Sequence, residues 1–183
     1  MARMILCCPL LLVLLAGCRR EAETPSDQGA VMKLTSPAFA EGEPIPKKYA
    51  GDGENRSPPL KWTGAPLGDK SFALIADDPD APTKTWVHWV IWNVAADTQE
   101  LGEGVPTDAR LPDGAKQGKN DAGGVGYGGP APPAGKAHRY FFKLYALDAT
   151  LDLKEGTATK ADLEQAMKGH IIGHGQLMGT YQK

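Results

Sequence analysis

Four side chains in this 183-residue sequence have the types and surroundings to hold a small oxyanion: Asp78, His88, His138 and Tyr140. Imidazole and phenol groups donate hydrogen bonds to phosphate or carboxylate oxygens, and a carboxylate beside an imidazole fixes its tautomer or charge. His138 and Tyr140 stand two residues apart, so a strand sets them side by side on one face. Each residue taken alone is more often a satisfied structural group. What sets them apart is that all four fall within, or at the end of, apolar strand-like runs.

Those runs must position them. "SFALIADD" (71–78) is an apolar segment ending in acids and then Pro79, which suits a strand that stops where proline has no N–H to donate. "WVHWVIWNV" (86–94) is apolar on both alternating faces and predicts a strand buried on both sides. In "HRYFFKLYAL" (138–147) the set His138, Tyr140, Phe142, Leu144 and Ala146 alternates with Arg139, Phe141, Lys143, Tyr145 and Leu147, which turns Arg139 away from the pair. "VMKLTS" near residue 31 and "GQLMGTYQ" near the C-terminus read as edge strands. Only "TKADLEQAMKGH" reads as a helix, with Thr159 as N-cap, Asp162 three residues later and Gly169 near its end. Between Gly102 and Gly135 no period is sustained, so this stretch is expected as one long irregular connection. It closes on "GYGGPAPPAGKA", whose small residues admit close backbone approach and whose prolines limit the entropy lost on ordering.

The length fits one domain with its own apolar core, and a net charge of −2 without any basic stripe excludes a nucleic-acid surface. The first residues, "MARMILCCPLLLVLLAGC", carry one arginine and then an apolar run too short to span a bilayer. Leu15-Ala16-Gly17-Cys18 resembles the bacterial lipobox, which implies a signal peptide over 1–17, cleavage before Cys18 and lipid attachment at Cys18. Cys7 and Cys8 are then removed, and no disulfide is expected. Residues 18–30 read as a lipidated polar tether and 31–183 as the folded domain. The implied location is the bacterial cell envelope, with the chain anchored to a membrane and facing the periplasm or the cell surface.

Other motifs fail on context. "GVGYGG" (124–129) spells a dinucleotide fingerprint, but prolines follow it where a helix N-terminus is needed. "DDPDAP" (77–82) lacks the later glycine and glutamate of a calcium loop. His170 and His174 have the spacing of a helical zinc pair, yet Gly173 and two β-branched residues lie around them. No nucleophile elbow or isolated mature cysteine is present. No metal and no cofactor is implied.

"DGENRSPPLKW" (52–62), "DDPDAPTKTWVHW" (77–89) and "GYGGPAPPAGKAHRYFFKLYALD" (126–148) together resemble the phosphatidylethanolamine-binding protein family, in its bacterial Raf-kinase-inhibitor-like branch. The resemblance runs from about Val31 to the end of the chain. It implies a mainly β fold, a β-sandwich of mostly antiparallel strands with one or two short helices, and a small anion pocket at one end. It adds Trp86 and Pro133 to Asp78, His88, His138 and Tyr140 as ligand-binding positions. The sequence departs from the family pattern at Ala131, where many bacterial relatives carry cysteine, and in an extra Lys136-Ala137 before His138.

The expected function is non-enzymatic binding of a small anionic ligand, a phosphorylated head group or a carboxylate, at a membrane surface. A protein-interaction role, in which the pocket rim modulates a protease or kinase, is the alternative. A metal-dependent hydrolase with His88, His138 and Asp78 as ligands is the third reading.

Overall fold

The computed structural model describes residues 29–183. The expected signal peptide, the Cys18 attachment and residues 18–28 of the tether lie outside them. The elements in chain order are β1 (Ala30–Val31), β2 (Lys33–Thr35), a 3-10 turn (Lys47–Tyr49), β3 (Leu60–Thr63), β4 (Ser71–Asp78), β5 (Trp86–Ala95), β6 (Glu100–Leu101), β7 (Lys116–Gln117), β8 (His138–Leu147), α1 (Lys160–Met167) and β9 (Ile171–Tyr181). A six-stranded sheet has the order β1-β9-β8-β4-β5-β7, and a three-stranded sheet has the order β2-β3-β6. All pairings are antiparallel except β1 with β9.

The central strands are apolar on both faces because each face has its own core. Phe72, Leu74 and Ala76 of β4, with Trp89 and Ile91 of β5, pack toward Leu34, Leu60 and Trp62 of the small sheet. Ala73 and Ile75, with Val90 and Trp92, pack instead toward Leu151, Leu163 and Met167 around α1. α1 starts where the sequence predicts: Thr159 Oγ1 accepts from the Asp162 N–H, and the Asp162 carboxylate accepts from the Thr159 N–H, closing a capping box.

Two expectations about edges are corrected. The segment near residue 31 is not one edge strand: β1 joins the large sheet and β2 the small one, and the chain crosses between them at Met32, whose N–H donates to His174 O. The C-terminal strand begins at Ile171, not Gly175, and lies second from the edge, covered by β1. The part missed is Ile171–His174. A Cβ on Gly175 would stand 2.7 Å from Met32 O, so the crossing chain requires glycine there. Of the small sheet, β2 falls within the strand read near residue 31, whereas β3 and β6 were not read.

β5 carries the irregularity that matters most for the site. Ala76 pairs with Trp89 and Asp77 with Val87, so His88 is the extra residue of a β-bulge. Strict alternation would have sent His88 to the α1 side of the sheet, opposite to Trp89. The bulge places both on the side of the small sheet.

Candidate functional site

At the end of the sheet where β4 stops and β5 and β8 begin, a cavity of about 260 Å³ opens. Asp78, Trp86, His88, Pro133, His138 and Tyr140 all line it, so the structure brings together the six ligand-binding positions expected from the sequence. The remaining wall includes Asn120, Gly128, Gly129 and Pro132. His88 and Tyr140 meet edge to face, with ring centroids 5.1 Å apart.

Each imidazole is fixed through its Nδ1. His88 Nδ1 donates to the Gly128 carbonyl oxygen at 2.6 Å, while the Gly128 N–H returns a 2.8 Å bond to His88 O. His138 Nδ1 donates to Asp78 Oδ2 at 2.8 Å. In both rings Nε2 is left for a ligand. Burial holds the His88 imidazole below its ordinary pKa, against the opposing pull of the Gly128 carbonyl and the carboxylates of Asp78, Asp77 and Asp121.

Asp78 is 3% exposed, its Oδ1 accepts from the Asp80 N–H at 2.8 Å, and its Oδ2 accepts from His138. Each oxygen already accepts one hydrogen bond, and through Oδ2 Asp78 orients the His138 ring at the cavity wall. Tyr140 is the converse case. Its buried hydroxyl makes no hydrogen bond of good geometry, though the Asp78 carboxylate lies close enough to attract it; burial, then the charge and hydrogen-bonding pull of Asp78, push the phenol well above its ordinary pKa. A buried O–H without a well-placed partner is a donor awaiting an acceptor.

The loop of small residues has a structural cause at each step. A Cβ on Gly129 would lie 2.3 Å from Tyr49 O, so only glycine lets this backbone approach the 3-10 turn. Its N–H donates to Asn55 Oδ1 at 2.7 Å, and Asn55 itself adopts the left-handed region at φ 54. The Asn120 side chain binds Gly124 N and Gly126 O, and the Tyr127 hydroxyl donates to Tyr49 O. Asn55, Asn120 and Gly128 were not read as site residues. Asn55 sat inside a quoted motif and Gly128 inside the glycine run, which were the available signals; Asn120 had none.

Arg139 faces away, as the alternation predicts, and grips Asp80 through Nε at 2.9 Å and Nη2 at 2.7 Å. That latch ties the 79–82 turn to the first residues of β8, over the pocket edge. The third carboxylate of the cluster, Asp77, points to the opposite face and accepts from Lys143 and Lys160. Three acids thus serve three directions, which is not the arrangement of a calcium loop. Among the described residues no group of three or more His, Cys, Asp or Glu side chains is placed to hold a metal ion. His170 binds Asp148 instead of sharing a site with His174.

The family model for phosphatidylethanolamine-binding protein matches residues 35–182. The chain belongs to the phosphatidylethanolamine-binding protein family. A UPF0098 protein of Methanothermobacter thermautotrophicus is 55% identical over 152 residues, covering 83% of this chain and 99% of the relative. The crystal structure of the phosphatidylethanolamine-binding protein homologue CT736 of Chlamydia trachomatis matches with a TM-score of 0.76 and 45% identity, covering 84% of this chain and 98% of that one. YbcL of Escherichia coli, described as a new member of the mammalian PEBP family, matches with a TM-score of 0.78 and 34% identity over 83% of this chain and 98% of its own. Fold and membership are therefore those of this family, mainly β with a single α-helix among the described residues.

Proposed function

We propose that this phosphatidylethanolamine-binding protein family member is a non-enzymatic receptor for a small anion, a phosphorylated head group or a carboxylate, tethered to a membrane through Cys18. The observation that carries the reading is the convergence of two imidazoles with available Nε2 atoms and one buried phenol without a well-placed partner on a single cavity. The cavity volume of about 260 Å³ lies at or below the usual range of roughly 300–1,000 Å³ for small-molecule sites, which favours a head group over acyl chains. Its lining offers no serine, threonine, cysteine or lysine to act as a nucleophile.

Strand β1, near the first described residue, and the pocket lie at opposite ends of the large sheet. β1 pairs with β9 at Gly173, whereas His138 pairs with Tyr181, eight residues further along, or about 26 Å at ~3.3 Å per residue. Among the described residues no helix is long and apolar enough to cross a membrane.

Equilibrium dialysis of the purified protein against inorganic phosphate and phosphoethanolamine tests the reading. Saturable binding that falls at least thirtyfold in His138→Ala is expected. No binding of either ligand at millimolar concentration contradicts it.

A further inference from the structure

We infer that the pocket binds its oxyanion together with a proton, shared between His88 Nε2 and a ligand oxygen, and thereby selects phosphomonoesters over phosphodiesters. This rests on the small-anion reading and narrows it to a substrate class.

Hydrogen-bond polarity decides the resting state of the His88 ring. A carbonyl oxygen only accepts, so the contact with Gly128 O places the proton of a neutral His88 on Nδ1 and leaves Nε2 a lone pair. The His138 ring is held through its Nδ1 by Asp78 Oδ2. The neutral His88 ring therefore offers a ligand an acceptor, which meets the lone pairs of a fully ionised oxyanion unfavourably. Tyr140 supplies the complementary donor. Seen from a ligand, the site asks for one oxygen that accepts from Tyr140 and one O–H that donates to His88.

The charges around the cavity point the same way. Its lining holds the Asp78 carboxylate and no lysine or arginine. The nearby fixed cations are committed elsewhere, Lys84 to Asp121 and Arg139 to Asp80. The groups around His88 are Asp78 from β4, Asp121 from the loop beside β5 and Tyr140 from β8, with the charge of Asp77 acting from the opposite face of the sheet; His138 faces Asp78 and Asp80. The carboxylates favour an imidazolium at His88, but burial outweighs them and keeps that ring neutral.

A phosphodiester carries one negative charge and no acidic proton near neutrality, so it must wait for an imidazole to ionise. A phosphomonoester has a second pKa of about 6, and its monoanion brings a P–O–H that donates to Nε2 while another oxygen accepts from Tyr140. The bound state then holds at least one proton more than the free dianion and free protein.

Isothermal titration calorimetry of the purified protein with phosphoethanolamine and with glycerophosphoethanolamine, at pH 6 and pH 8 in two buffers of different ionisation enthalpy, separates the outcomes. The monoester is expected to bind at least tenfold more tightly than the diester at pH 6. Its affinity should fall more than tenfold by pH 8, with close to one proton taken up per ligand at the higher pH. Equal affinities for the two ligands, or a monoester affinity unchanged across this range without proton uptake, overturns the inference while leaving small-anion binding intact. Failure of both ligands to bind overturns the inference and the reading beneath it. In His88→Gln an amide N–H replaces the lone pair, so proton uptake should drop toward zero; uptake unchanged from the parent contradicts the assignment to His88.

Discussion

Asp77 and Asp78 close β4 as adjacent buried carboxylates, and the pleat sends them to opposite faces of the sheet. Asp77, fully buried, accepts from Lys143 of β8 at 2.9 Å and from Lys160 of α1 at 2.6 Å. These two ion pairs cross-link two strands and the helix. Asp78 accepts from a backbone N–H and from the His138 imidazole. One carboxylate thus meets two lysines and holds the fold together. The other meets an imidazole at a cavity wall. Identical chemistry one residue apart is turned to architecture or to recognition by the partners that face it.

Substitutions that separate the two faces sharpen this contrast. The largest effect on stability is expected from Asp77→Ala, which leaves two lysines without their anion. Breaking a buried ion pair costs about 3–5 kcal/mol. Here the lysine side chains are 31% and 21% exposed and reach water, which lowers the expected loss to about 2–3 kcal/mol, read as a shift in the urea midpoint. Phosphoethanolamine affinity should stay within twofold, and a loss as large as that of His138→Ala would dissolve the distinction between the faces.

Tyr140→Phe is expected to do the reverse. Its hydroxyl makes no hydrogen bond of good geometry to the protein, only a weak one toward Asp78, so stability should change by less than about 0.5 kcal/mol, whereas one missing hydrogen bond to ligand weakens binding about tenfold. A stability loss above about 1 kcal/mol with unchanged affinity would show that the hydroxyl serves the fold.

The smallest effect concerns the Asp80–Arg139 latch. The Arg139 guanidinium lowers the Asp80 carboxyl from 3.8 to about 2. A depressed carboxylate pKa contributes stability that is fully present above the unfolded value, near 4, and is lost as pH falls toward 2. Arg139 is half exposed, so solvent screening reduces the contribution to on the order of 1 kcal/mol. In Asp80→Asn the difference from the parent protein should therefore shrink between pH 4 and pH 2 in acid-unfolding curves. A difference that grows over that interval contradicts the assigned sign.

Three of the four long strands and the helix were legible because their signals are local: two-residue alternation in 138–147, apolar runs in 71–78 and 86–94, and a capping box at Thr159. Strands β3 and β6 of the small sheet were not, since β6 has two residues and β3 only four, and neither length sustains a period. The start of β9, Ile171–His174, was hidden at Gly173, which close backbone approach, and not strand propensity, selects. At the site, residue types and the shared face of His138 and Tyr140 were readable. The bulge that turns His88 inward was not, because a strand apolar on both faces conceals a one-residue break in alternation. Which nitrogen of each imidazole remains for a ligand was equally out of reach. That choice depends on Gly128 O and Asp78 Oδ2, partners 40 and 60 residues away in sequence.

The four histidines contain their own control, because His88 and His138 line the cavity whereas His170 and His174 do not. The most direct measurement follows the ring signals of all four by NMR while phosphoethanolamine is added at constant pH. The account predicts that His88 and His138 shift together along one binding isotherm and that His170 and His174 stay in place. Signals of His88 and His138 that do not move at saturating ligand, or that move no more than the other two, would contradict it.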